Sequence, residues 1–144
     1  MRLVCDIETD GLDPNVIHCL CVEDLDSNEN WQFHGESLEA GIKVIAEAEE
    51  TIWHNGIGYD IPAIKKIYPG FTPKKVTDTL VLSRMLKSDI KTEDFDKYWL
   101  AEGDEILPNR LFGSHSLKAW GLRMGTHKGD YTGGWDAFND EMLK

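Results

Sequence analysis

The order in which short apolar runs follow one another constrains this fold most. Leu3 to Ile7, interrupted only by Asp6, is short enough for a strand and leads into the turn chemistry of Thr9-Asp10-Gly11-Leu12-Asp13-Pro14. Val16 to Val22 is a second strand, and Trp31 to His34, where Trp31 and Phe33 alternate with polar neighbours, is a third. The polar stretch from Leu25 to Asn30 reads as a hairpin turn, so the three strands form an antiparallel meander. The period then changes. Ser37 is placed to cap a helix running to about Glu50, with Leu38, Ile42, Ile45 and Ala46 at helical spacing. Thr51 to Trp53 is a short buried strand, His54 to Gly58 a tight loop, and a helix with Pro62 in its first turn opens near Asp60. Val76 and Thr77 form another short strand before a helix capped by Asp78, whose apolar residues are Leu80, Val81, Met85 and Leu86. Charged, irregular sequence runs from Lys87 to Arg110 around Phe95, Tyr98 and Trp99, a surface excursion over 87–113 with room for one helix. Ser114 then caps a helix through Leu117, Ala119, Trp120 and Leu122, expected in the core at Trp120 and ended by Gly125; His127 to Gly134 is a loop, and Trp135 opens a further helix. This order predicts one α/β domain over 1–144, with a mixed sheet of three antiparallel and then parallel strands, flanked by helices.

Composition agrees with a single packed domain. The chain has 144 residues, 41% of them apolar, and five Trp, enough to bury a core and too apolar for disorder. No run approaches the roughly 18–20 apolar residues of a membrane span, and Asp6 stands where a signal peptide needs its apolar stretch. The expectation is a cytoplasmic protein with no membrane partner. Three Cys exclude a fully paired disulfide framework, and all three read as reduced core residues; a zinc site at Cys19 and Cys21 would need a second ligand pair. The net charge of −11 excludes binding nucleic acid through a bulk excess of Lys and Arg, but not holding cations with carboxylates.

Two carboxylate motifs carry chemistry. In Asp6-Ile7-Glu8 at the end of the first strand, alternation sends Asp6 and Glu8 to one side and Ile7 to the other. Two acids held so repel each other unless a cation lies between them, and hard oxygen donors at this density suit Mg²⁺ or Mn²⁺. Taken alone, acids at a strand end are usually solvated. In His54-Asn55-Gly56-Ile57-Gly58-Tyr59-Asp60 a buried strand delivers a loop and then an acid at a helix start, where Asp60 alone would be a favourable first-turn charge.

Together, Asp6-Ile7-Glu8-Thr9-Asp10-Gly11-Leu12 and Asn55-Gly56-Ile57-Gly58-Tyr59-Asp60 resemble the first and second motifs of the DEDD superfamily of 3′→5′ exonucleases, whose ribonuclease H-like arrangement has the element order above. More narrowly, Asp78-Thr79-Leu80-Val81-Leu82-Ser83-Arg84-Met85-Leu86 and Phe112-Gly113-Ser114-His115-Ser116-Leu117-Lys118-Ala119-Trp120-Gly121 look like the proofreading domain of phage family A DNA polymerases. The resemblance implies proofreading hydrolysis of 3′-terminal nucleotides from single-stranded DNA, in the host cytoplasm, with two Mg²⁺ or Mn²⁺ ions. It implies that Asp6 and Glu8 hold one ion, that Asp6 bridges to the second, and that Asp60 holds the second directly or through water. It also implies that Thr9 and Leu12 contact the terminal nucleotide, Leu12 as an apolar wedge, and that Asn55 and Tyr59 line the strand's path. For Leu12, ordinary packing under its turn stays equally open.

The same resemblance calls for a third motif, Tyr-x-x-x-Asp or His-x-x-x-x-Asp. No Tyr is followed by Asp four residues on, and no His by Asp five residues on. The nearest spacings bring Glu23, Glu39 and Glu102, all upstream of where the family places the motif, and Asp136 and Asp140 read as solvated or capping acids. The expectation is therefore a chain that stops just before its last ligand, which a polymerase body or partner chain supplies. Its activity alone should be impaired. The alternatives are a catalytically silent scaffold of a split polymerase and an RNA-trimming member of the superfamily. Lys118, Arg123 and Lys128 could track phosphates or be solvated, and His115 reads as a helix-start hydrogen bonder.

Overall fold

A computed structural model of the chain describes residues 1–101 and 106–126. These form two compact units, one over 1–79 and one from 80 onward. In the first, β1 (Arg2–Thr9), β2 (Ile17–Asp24) and β3 (Asn30–His34) make the antiparallel meander, and β4 (Glu50–Trp53) and β5 (Val76–Asp78) add to it in parallel. The five strands lie in the order β3-β2-β1-β4-β5, with α1 (Leu38–Glu47) between β3 and β4 in the chain and α2 (Asp60–Ile67) between β4 and β5. This is the α/β fold with a mixed, helix-flanked sheet that the element order implies, consistent with a ribonuclease H-like arrangement.

Strand alternation sorts the faces. Leu3, Cys5, Ile7 and Thr9 of β1 are buried, whereas Arg2, Val4 and Asp6 are exposed. Leu3, Cys5 and Ile7 join Leu20 and Val22 of β2, Leu38, Ile42 and Ile45 of α1, and Ile61, Ala63 and Ile64 of α2 in one core. The β2–β3 turn closes on Asp24, whose carboxylate accepts from the Asp26 amide (3.0 Å) and the Ser27 hydroxyl (3.1 Å). Both boundaries of α1 differ from the sequence reading. A single 3₁₀ turn, Gly35–Ser37, precedes α1, and the Ser37 hydroxyl bonds His34 rather than capping the helix. α1 ends at Glu47 because Glu50 is already paired with Arg2 in the sheet.

The second unit holds α4 (Ile90–Tyr98), α5 (Leu117–Met124) and all but the first residue of α3 (Thr79–Leu86). Among the described residues, the 87–113 excursion contains α4 and a single 3₁₀ turn, Asn109–Leu111. The buried Asp94 of α4 accepts both Nε (2.8 Å) and Nη2 (2.6 Å) of Arg123, while the Gly113 amide donates to the same carboxylate (2.8 Å) and Arg123 Nη1 to the Ser114 carbonyl (2.7 Å). Arg123 is therefore a buried structural partner and not a phosphate-tracking residue. His115 bonds the Ser83 hydroxyl through Nδ1 (3.0 Å), and Lys118 is exposed. The cap of α5 is Ser116, which accepts from the Ala119 amide (3.2 Å), not Ser114; the helix ends on Gly125 in the left-handed region (φ 70°). Trp120 is half-buried. α3 buries none of its residues, and its apolar Val81, Met85 and Leu86 are exposed among the described residues. Glu102, the 127–134 loop with Lys128, the helix opening at Trp135, and Asp136 and Asp140 lie outside the described residues.

Candidate functional site

The strand register gathers the first motif on one face. Asp6 pairs with Cys21 and Glu8 with Cys19 across β1 and β2, so both acids and both thiols share a side of the sheet. The pairing then shifts between Glu8 and Thr9, a bulge that brings Thr9 opposite Ile17. Cys5 and Cys19 are buried and Cys21 is half-buried; all three are free thiols. Burial, and behind it the charges of Asp60 and Asp6, push the Cys5 thiol well above its ordinary range.

The second motif arrives from the other side. β1 pairs with β4 only from Arg2 to Val4, and beyond that its edge is met by the start of α2. There the buried Asp60 carboxylate accepts the Ile7 amide at 3.4 Å, reaching the backbone between Asp6 and Glu8. Burial first, and the charge of Asp6 second, push the Asp60 carboxyl up to about 6. Asp60 and Asp6 thus disfavour each other's charge, which is the situation a divalent cation relieves. The donor set of hard carboxylate oxygens fits Mg²⁺ or Mn²⁺. Among the described residues, no three His, Cys, Asp or Glu side chains converge into a shell that would hold an ion.

The residues expected to touch substrate fall into two groups. The Tyr59 hydroxyl lies 2.6 Å and Thr9 Oγ1 3.1 Å from the Gly11 carbonyl, and the two hydroxyls lie within hydrogen-bond reach of each other, so their two protons are shared among three contacts. This clasp ties the loop after β1 to the residue before α2. Next to it Leu12 is 93% exposed, which rules out its packing under the turn. Leu12, Pro14, Gly58, Tyr59, Ala63 and Lys66 border a cleft of about 160 Å³. Asn55 is exposed, in the left-handed region (φ 68°), with its backbone rather than its side chain tied down: its amide donates to Asp78 Oδ1 at 3.1 Å. Asp78 is the residue that the sequence reading missed. An acid just before a helix reads as a cap, and only the β4–β5 pairing shows that its carboxylate meets the 55–57 loop. Ile57 is exposed in that loop.

No family model matches the chain. It is similar to the DNA-directed DNA polymerase of Escherichia phage T7, at 35% identity over 142 residues covering 90% of this chain and 20% of that protein. The DNA-directed DNA polymerase of Enterobacteria phage T3 is similar to the same degree, 35% over 142 residues, with the same shares of 90% and 20%. The chain spans about a fifth of the length of these relatives. Over these residues the chain is similar to a segment of each of these two phage polymerases.

Proposed function

We propose that the chain is a metal-dependent 3′→5′ exonuclease module of a phage-type DNA polymerase, which removes 3′-terminal nucleotides from single-stranded DNA in the host cytoplasm. The observation that carries this reading is Asp60, buried with its carboxylate on the Ile7 amide between Asp6 and Glu8 and its proton held more tightly by burial and by Asp6. In this reading Asp6 and Glu8 hold one Mg²⁺ or Mn²⁺ ion, and Asp6 and Asp60 hold a second. Such ions, when bound, activate a water and stabilise charge on the leaving 3′ oxygen. The protein's own part is positional. Thr9 and Tyr59 brace the loop that projects Leu12, which meets the terminal base as an apolar wedge, and Asn55 lines the strand's path.

The chain has no Tyr-x-x-x-Asp or His-x-x-x-x-Asp, so a polymerase body or partner chain completes the first ion's shell, and the 144 residues alone work slowly. The test is a gel assay on 5′-labelled single-stranded DNA and the matching RNA. Slow Mg²⁺-dependent shortening of the DNA, stopped by EDTA and by Asp6→Ala, is expected. Shortening that survives either treatment overturns the reading, and a preference for the RNA moves the substrate to that class. The alternative is a catalytically silent scaffold. No shortening at all under any metal is its signature.

A further inference from the structure

Asp78 is the last residue of β5 and lies beside Trp53 of β4. It is buried, and a single loop engages both of its oxygens: Oδ1 accepts the Asn55 amide at 3.1 Å and Oδ2 the Ile57 amide at 3.0 Å. Hydrogen bonds from two backbone amides to an ionised carboxylate are among the stronger ones available inside a protein. The loop between them has little freedom. Asn55 is held at positive φ, and a Cβ on Gly56 would lie 2.3 Å from Trp53 Cβ.

The loop in turn fixes the residues after it. The Gly58 and Tyr59 amides donate to the Asn55 carbonyl (3.1 and 2.9 Å), and the Ile61 amide to the Gly56 carbonyl (2.9 Å). The start of the loop is tied as well. Thr79 Oγ1 donates to the Trp53 carbonyl at 3.1 Å, so it accepts from His54 Nδ1 at 2.9 Å, and that nitrogen carries the proton. Residues 78 and 79 together therefore grip both ends of the segment that delivers Tyr59 and Asp60.

We infer that Asp78 is a positioning residue for the site proposed above: by fixing the backbone of residues 55–57 it holds Asp60 at the edge of β1 and Tyr59 against Thr9 and Gly11. This rests on the reading of Asp6, Glu8 and Asp60 as ion ligands. In Asp78→Asn one acceptor oxygen becomes an amide donor that cannot pair with a loop N–H, while size is nearly unchanged.

The experiment measures Mn²⁺ binding to the 144-residue chain by electron paramagnetic resonance of the free ion, with circular dichroism and a thermal melt on each variant. Wild type, Asp78→Asn and Ile45→Val are compared, the last destabilising the core of α1 away from the loop. Asp78→Asn is expected to weaken Mn²⁺ binding by about 10-fold or more, the range of outer-shell substitutions at metal sites, with Ile45→Val within about 2-fold of wild type. Equal affinity of Asp78→Asn and wild type overturns the inference, as does an equal loss in Ile45→Val. If Asp78→Asn does not fold, Asp78→Glu, which keeps both acceptors on a longer arm, takes its place under the same criteria. Failure of wild type to bind Mn²⁺ sinks the ion-ligand reading itself and is distinct from either result.

Discussion

Asp60 combines burial with a carboxylate neighbour, and the sign of its effect on stability comes from that pairing. Its folded carboxyl titrates at about 6, whereas an unfolded Asp titrates near 3.9, so the folded state binds the proton more tightly. Stability without divalent ions therefore falls as pH rises from about 4 to above 6, by about 3 kcal/mol from this group. Asp60→Asn keeps an oxygen to accept the Ile7 amide and removes the charge. Urea unfolding in EDTA should show the variant more stable than wild type at pH 7.5 and the difference vanishing near pH 4; equal stabilities at pH 7.5 would contradict the account. The first and second motifs were legible at this scale because alternation in β1 and a helix start at Asp60 are set by local sequence. The role of Asp78 was not, because its partners lie 23 and 21 residues away and only strand pairing brings them together.

Among the elements, the three-strand meander, α1 and α2 are readable from periodicity and turn chemistry, whereas the charged, irregular sequence around α4 gives no bounds for it. Periodicity says which residues share a face and not whether anything covers it. The apolar Val81, Met85 and Leu86 of α3 illustrate this, being exposed, Met85 at 73% and Leu86 at 77%. At α5 Ser114 and Ser116 are both good caps by residue type, and only the structure shows that Ser116 turns its hydroxyl to the Ala119 amide. Arg123 shows the limit for charges, since a Lys/Arg position says nothing about a buried acid 29 residues away. Burial pushes the Asp94 carboxyl up, but Arg123 and the Gly113 amide outweigh it and hold it below the ordinary range. Its stabilising contribution is thus complete above about pH 4 and lost as pH falls through its lowered value. Removing one partner strands a buried charge, so Arg123→Ala should cost about 3–5 kcal/mol in urea unfolding at pH 7. A loss under about 0.5 kcal/mol would show that the pair is solvated.

For the whole molecule, acidity argues against binding nucleic acid by bulk charge, yet it has a consequence that the proposed function turns into a measurement. With a net charge of −11, the chain and a DNA strand repel each other, and ions held by the carboxylates reverse this locally. Fluorescence anisotropy with a labelled oligonucleotide should show tighter binding in millimolar Mg²⁺ than in EDTA at matched ionic strength, opposite to the usual weakening of DNA binding by added salt. Equal or weaker binding in Mg²⁺ would contradict the proposed carboxylate site.

The central claim is that Asp6, Glu8 and Asp60 act together on a DNA 3′ end. Its most direct test tracks one single-stranded oligonucleotide labelled in turn at its 5′ and 3′ ends, incubated in Mg²⁺ with wild type and with Asp6→Ala. The account predicts a descending ladder from the 5′ label and immediate release of a labelled mononucleotide from the 3′ label, both absent with Asp6→Ala. Internal cleavage, release beginning at the 5′ end, or identical rates for the two proteins would contradict it.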